Sequence, residues 1–152
     1  MNEPSIPVSV LMEKRVVQSQ WATHEWRVAG VVDPALAEVP AGTQKHDGFS
    51  ITLFRDEAEG YYLNTSTGAA KVFVMWRLEE GEAGESATPK FVTVSYNEAA
   101  RLMDAQERVD MVPMPPAMHD WLAAYVAANY KPAPKKRRQK ASFVAPADRA
   151  KL

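Results

Sequence analysis

The chain has 152 residues, 46% of them hydrophobic and 24% charged, which is enough for one domain with its own core. It contains no cysteine, which excludes disulfides, thiolate zinc sites, cysteine-ligated iron–sulfur clusters and thiol catalysis. The net charge of −1 conceals two blocks: residues 1–130 hold 10 Lys and Arg against 18 Asp and Glu, and residues 131–152 hold 8 against one.

The first half of the chain is predicted to be mostly extended. Residues 6–12 place apolar side chains at every second position and residues 21–32 share an apolar face, so both stretches indicate strands. Residues 33–49 contain two prolines and two glycines and predict a loop. Residues 50–54 and 61–65 are short β-prone runs and predict two more strands.

The segment RDEAEG, residues 55–60, carries four charged side chains in six positions. Its length and its glycine predict a hairpin loop in which Gly60 adopts a positive φ. The carboxylates of Asp56, Glu57 and Glu59 are then expected to be solvated, because their spacing does not match a calcium loop. One tight turn also does not set two carboxylates across a substrate. A protein-contact surface, a metal site and a catalytic site remain as alternatives.

The second half begins with a nearly continuous apolar run at residues 71–78, which favours a central strand covered on both faces. Residues 81–86 contain two glycines and predict a flexible loop. Residues 90–94 are again β-prone and predict the next strand.

Two helices are predicted after these strands. Ser95 and Glu98 have the spacing of a capping box, which starts a short helix over residues 95–105. A second helix over residues 115–130 starts on prolines and repeats apolar side chains at i, i+3, i+4, i+7 and i+8. Pro132 prevents its continuation.

Because the strands come first and the helices last, we expect an α+β fold. The expected architecture is a curved antiparallel β-sheet or partial barrel of about six strands, with a short helix and an amphipathic C-terminal helix. Residues 1–130 are expected to form a single domain. Residues 131–152 are expected to form a basic, disordered tail, because they contain too little apolar surface to offset the entropy of ordering.

The tail carries the strongest electrostatic feature of the chain. Five of the six residues 135–140 are cationic: Lys135, Lys136, Arg137, Arg138 and Lys140. Such a segment can simply keep the protein in solution, or bind nucleic acid or another polyanion in a salt-sensitive way. It can also lie on an acidic patch, either of this protein or of a partner. Phe143 and Val144, just beyond the charges, suggest a short docking motif.

Trp21 is a candidate contact residue. It lies five residues before Trp26, so in one regular strand the two side chains would point to opposite faces. Either a turn separates them, or Trp21 is exposed beside charged residues and serves as an interface anchor.

The methionines and histidines leave open questions. Four methionines cluster around the predicted helices, at Met103, Met111, Met114 and Met118. Core filling is the favoured role, and an adaptable protein-binding surface is the alternative. The three histidines, His24, His46 and His119, are scattered and show no metal-binding spacing, and no phosphate-binding glycine motif occurs. We therefore expect no metal and no cofactor.

Four stretches together resemble one family: LFRDEAEGYYLN, VFVMWRLEE, VSYNEAARLMD and ERVDMVPMPPAMHDWLAAYVAANYKPAPKKRR. With them the chain resembles the bacterial family known as domain of unknown function 3305, from about residue 7 to residue 138. The resemblance implies a genomic setting near molybdenum-dependent formate dehydrogenase, its maturation factors and iron–sulfur proteins. It transfers no functional residues.

These observations favour a non-enzymatic cytoplasmic accessory protein that binds a redox enzyme or its maturation factor. Neither a signal-peptide pattern nor an apolar run of membrane-spanning length occurs, so no membrane partner is expected. The predicted contact residues are Trp21, Arg55, Asp56, Glu57, Glu59, Tyr61 and Tyr62. The alternatives are a polyanion or nucleic-acid binder that uses the tail, which the acidic body opposes, and an enzyme built on Asp56, Glu57 and Glu59.

Overall fold

The structure is a computed structural model that describes residues 3–16, 24–82 and 84–132. These residues form six strands and three α-helices. The elements are β1 (Ser5–Val16), β2 (His24–Val32), β3 (Thr43–Thr52), a 3₁₀ turn (Arg55–Glu57), α1 (Ala58–Thr65), β4 (Lys71–Gly81), β5 (Gly84–Thr93), α2 (Tyr96–Asp104), β6 (Arg108–Pro113) and α3 (Pro116–Asn129).

The strands form two three-stranded antiparallel sheets, in the orders β2-β1-β3 and β5-β4-β6. The predicted α+β class and the number of strands are confirmed. The described strands divide between two sheets and do not close into a barrel. Neighbouring edges nevertheless meet, since β2 lies beside β6 and β3 beside β5.

The core lies between the two sheets. Alternate residues of β1 and of β4 point into it, and both strands occupy the centre of their sheet. The inward-facing residues of these two strands are Val8, Val10, Met12, Val72, Val74 and Trp76. Met118 and Leu122 of α3 close one end of this core. At the edge, the Val28 N–H of β2 donates to the Asp110 carboxylate of β6 at 2.9 Å and links the two sheets.

The loop predicted over residues 33–49 is wrong in its second part, where β3 begins at Thr43. The glycine that suggested a loop, Gly48, has φ 93° and lies where the β1–β3 register shifts between Val8 and Val10. It therefore marks a bulge inside a strand, which a sequence pattern does not separate from a loop glycine.

The strand predicted over residues 61–65 and the hairpin predicted over residues 55–60 are also wrong. The chain instead makes the 3₁₀ turn and continues directly into α1. Gly60 lies inside α1 and is not among the glycines with positive φ. The contacts of α1 with α2 and α3 outweigh the β-propensity of its tyrosines and threonine.

The two helices predicted last are confirmed, as α2 and α3. The Ser95 hydroxyl accepts the Glu98 N–H at 3.1 Å and caps α2 as expected. The Glu98 carboxylate does not complete the capping box, because it accepts the Thr93 hydroxyl at 2.5 Å. β6 lies in a stretch for which we predicted no structure. In the part of the chain that the structure describes, no helix is long and apolar enough to span a membrane.

Candidate functional site

Glu57 connects the 3₁₀ turn to the first turn of α2. Its carboxylate accepts the Ser95 hydroxyl at 2.6 Å and the Arg101 guanidinium at 2.5 Å, and its side chain is 16% exposed. The same hydrogen bond from Arg101 to Glu57 raises the pKa of the guanidinium. Because both carboxylate oxygens are occupied, Glu57 serves the docking of two elements.

Gly60 lets α1 approach α2 closely. A Cβ atom at Gly60 would overlap the Ser95 hydroxyl and lie 3.2 Å from the Asn97 backbone nitrogen. The glycine is therefore required for helix spacing and not for a turn. One helical turn later, Asn64 is buried and anchors α1 to the second sheet. Its amide nitrogen donates to the Lys71 and Val94 carbonyls at 2.8 and 2.9 Å.

Tyr61 is part of the core. Its hydroxyl accepts the Phe54 N–H at 3.0 Å, and its ring meets the Tyr125 ring edge-on with centroids 5.9 Å apart. Burial raises the pKa of the Tyr61 hydroxyl to about 12. Tyr61 was predicted as a contact residue, but its ring faces the interior and is not accessible to a partner.

The remaining predicted residues of this segment are exposed and point in different directions. Glu59 accepts the Asn97 side-chain amide at 3.2 Å, and the Tyr62 ring stacks on Tyr130 with centroids 4.6 Å apart. Arg55 and Asp56 line a separate cleft. The three carboxylates Asp56, Glu57 and Glu59 therefore do not converge. Across residues 3–16, 24–82 and 84–132, no group of three or more His, Asp or Glu side chains could hold a metal ion.

That cleft, which we call the α3 cleft, has a volume of about 700 Å³. It lies between the N-terminal segment, the 3₁₀ turn and α3. Its lining residues are Glu3, Pro4, Phe54, Arg55, Asp56, Tyr125 and Asn129. Burial raises the pKa of the Tyr125 hydroxyl, the charge of Arg55 opposes this rise, and the charges of Glu3 and Asp56 add to it. Charged groups of both signs therefore surround one aromatic wall.

A second surface, not predicted from the sequence, lies around α2. The cross-strand pairs Phe73–Met111 and Met75–Phe91 place their side chains on the outer face of sheet β5-β4-β6, and α2 covers only part of that face. Two side chains of this sheet and two of α2 are 40–59% exposed, and we call them together the α2 face: Phe91, Met111, Tyr96 and Met103.

The four methionines divide between the core and the surface. Met118 is buried and Met114 packs against the core, while Met103 and Met111 are exposed. The continuous apolar run of β4 was a signal for the second surface, because its outward-facing half requires a cover. That cover is α2, and it leaves both of its flanks apolar.

The two histidine side chains that the structure describes have different surroundings. Burial lowers the pKa of His46, and its Nε2 atom has no hydrogen-bond partner among the described residues. The His119 Nδ1 atom lies 3.8 Å from the Asp120 carboxylate on α3. The side chain of His24 lies outside the described residues, as do two predicted contact sites, Trp21 and the cations of residues 135–140.

Comparison with known proteins gives one match. A family model described as a protein of unknown function, DUF3305, matches residues 7–139. Neither a curated protein nor a solved structure matches the chain. The match covers the two sheets, the segment that holds α1 and both later helices, so the chain belongs to the DUF3305 family.

Proposed function

We propose that this protein is a non-enzymatic accessory protein of the cytoplasm that binds another protein through the α2 face. The observation that carries the proposal is the exposure of Phe91 and Met111 on the outer face of sheet β5-β4-β6 and of Tyr96 and Met103 on α2, which covers that face. Clustered exposed apolar side chains of this size are typical of protein contact sites.

The chemistry of the α2 face suits a protein partner. Aromatic residues and methionine are enriched in protein interfaces, and the flexible thioether adapts to irregular surfaces. A groove lined by Met75, Phe91 and Leu102, with Glu98 and Arg101 at its rim, runs along one side of α2. Charged groups beside an apolar centre give an interface a polar rim.

The carboxylate segment supports a binding role over a catalytic one. Glu57, which an enzyme would use as an acid or base, is bound to Ser95 and Arg101 and holds α2 in place. The segment thereby positions the helix that bears the α2 face. Packing contacts thus account for Glu57.

We further propose that the partner is a redox enzyme, namely a molybdenum-dependent formate dehydrogenase or one of its maturation factors. The support is the genomic setting that the family resemblance implies, which is an association and not a contact. The partner is therefore tested first, by the deletion itself, and the surface second, by variants expressed in the same strain.

The test is complementation of a gene deletion, with formate dehydrogenase activity and molybdenum cofactor content as readouts. We expect the deletion to lower both, and the full-length chain to restore them. The double variant Met103→Gln, Met111→Gln keeps side-chain length while making the α2 face polar, and we expect it not to restore activity at equal protein level.

The matched control is Leu36→Gln, Val39→Gln, because both residues are apolar and exposed, at 39% and 38%, on the loop before β3. We expect this control to restore activity fully. Full restoration by the α2-face variant would reject the surface. Unchanged formate dehydrogenase in the deletion strain would reject the redox enzyme as partner.

A further inference from the structure

We propose that the basic segment of this chain, residues 131–152, docks in the α3 cleft of the same molecule. This goes beyond the proposed function, because the occupant is part of the protein and the surface is not the α2 face. Three features of the molecule support it: the point at which the described chain ends, the charges of the cleft and its aromatic walls.

The described chain ends beside the cleft. Asn129, the last residue of α3, lines it, and the Asn129 side-chain amide donates to the Tyr125 carbonyl at 3.0 Å. The next residue, Tyr130, stacks on Tyr62. Lys135 lies three residues after Pro132, so it is within about 10 Å of contour length.

The charges of the cleft complement the segment. Glu3 and Asp56 both line it, and neither takes part in an ion pair among the described residues. Arg55 offsets one of these two charges and leaves the cleft net negative. Residues 131–152 carry 8 cations and one carboxylate. Two open carboxylates near a tethered polycation favour docking.

The cleft walls suit Lys and Arg side chains as well. Phe54 is exposed, and Tyr125 forms the wall on α3. Cations stack on aromatic faces, and their aliphatic stems cover apolar surface. Each contact is weak in water, but a tether of a few residues holds the segment near the cleft at a millimolar effective concentration.

The test uses the full-length protein, which has no cysteine, so that one introduced cysteine can be labelled alone. A Ser142→Cys substitution provides a single position for a nitroxide spin label in ¹⁵N-labelled protein. At low salt we expect paramagnetic broadening of the amide signals of Glu3, Phe54 and Asp56. At 1 M salt, where the screening length is about 3 Å, we expect these signals to recover.

The matched control separates charge from tethering. It carries the same label and the same chain length, with five residues changed to Gln: Lys135, Lys136, Arg137, Arg138 and Lys140. We expect broadening of the cleft signals to be lost in this control. Equal broadening in both proteins, or none in either, would overturn the proposal.

A second pair of variants tests the cleft itself. Glu3→Gln with Asp56→Asn removes its carboxylates, and Glu82→Gln with Glu85→Gln removes two exposed carboxylates at the β4–β5 hairpin. We expect only the first pair to abolish the broadening. Loss with the hairpin pair instead would overturn the proposal. The experiment contains no partner and leaves the α2 face intact, so its failure is distinct from failure of the proposed function.

Discussion

Gly60 sets the spacing of two helices by lacking a side chain. A sequence pattern predicts a turn there, because glycine is common in turns and charged residues surround it. The structure gives a different reason, which is contact with Ser95 of a helix that starts about 35 residues later. A long-range packing requirement of this kind leaves no local signal. The sequence therefore indicates that a glycine is needed at this position, but the predicted role, a turn residue, is wrong.

We expect Gly60→Ala to destabilise the protein by about 1–3 kcal/mol, because the added methyl group would overlap the Ser95 hydroxyl. Denaturant unfolding monitored by circular dichroism gives the change. Gly30→Ala is the control, since a Cβ atom at Gly30 meets nothing within 4 Å. Combining Gly60→Ala with Ser95→Ala should cost less than the sum of the single changes. A fully additive pair would contradict this contact.

At the scale of elements, the sequence predicts well where periodicity and capping agree. The capping role of Ser95 and the apolar repeat of α3 correctly located both C-terminal helices. The sequence does not predict α1, because this helix has only eight residues and several of them are β-prone. Its position depends on the buried side chains of Tyr61 and Asn64. The predicted strand at β3 begins too late, because the bulge glycine Gly48 cannot be told from a loop glycine in the sequence. Predictions failed where distant contacts decide the structure.

The link between the 3₁₀ turn and α2 makes a second prediction. We expect Glu57→Gln to lower stability by about 1–2 kcal/mol, because it weakens two hydrogen bonds to a charged acceptor. Asp56→Asn, one residue earlier and exposed, should change stability by less than about 0.5 kcal/mol.

Thermal unfolding of both variants at pH 7 provides the measurement. If Glu57→Gln abolished cellular activity with an unchanged melting temperature, the packing role would be rejected. A chemical role for this carboxylate would then be supported.

At the scale of the whole molecule, two sheets and three helices present two separate exposed regions, the α2 face and the α3 cleft. The class, the number of strands and the division of charge between body and tail followed from the sequence. The division into two sheets and the existence of the α2 face did not follow from the sequence. Both depend on which side of β4 faces the other sheet, and the uninterrupted apolar run at residues 72–76 does not reveal that side.

The stability of the whole fold should depend on pH through His46. Burial lowers its folded pKa below 6.5, and the charge of Asp47 only partly opposes this. As pH falls below the unfolded value, the unfolded chain takes up the proton first, so stability decreases.

We expect the melting temperature to fall between pH 7 and pH 5, and His46→Gln to reduce that fall. His119→Gln is the control, because the His119 side chain is 42% exposed. An identical pH dependence in wild type and His46→Gln would show that the imidazole is not the group responsible.

Each sheet is built from a contiguous stretch of chain, residues 5–52 for the first and residues 71–113 for the second. The loops that close within each stretch are short. Strand pairing inside a sheet therefore costs less chain entropy than docking one sheet on the other. α1 lies on the connecting segment, and Asn64 bonds to the first residue of β4, Lys71, and to Val94, which directly follows β5. Folding would thus proceed as assembly of two local three-stranded sheets, with α1 docking on the second of them through Asn64. Amide protons around Asn64 would then become protected from exchange after those inside the individual hairpins.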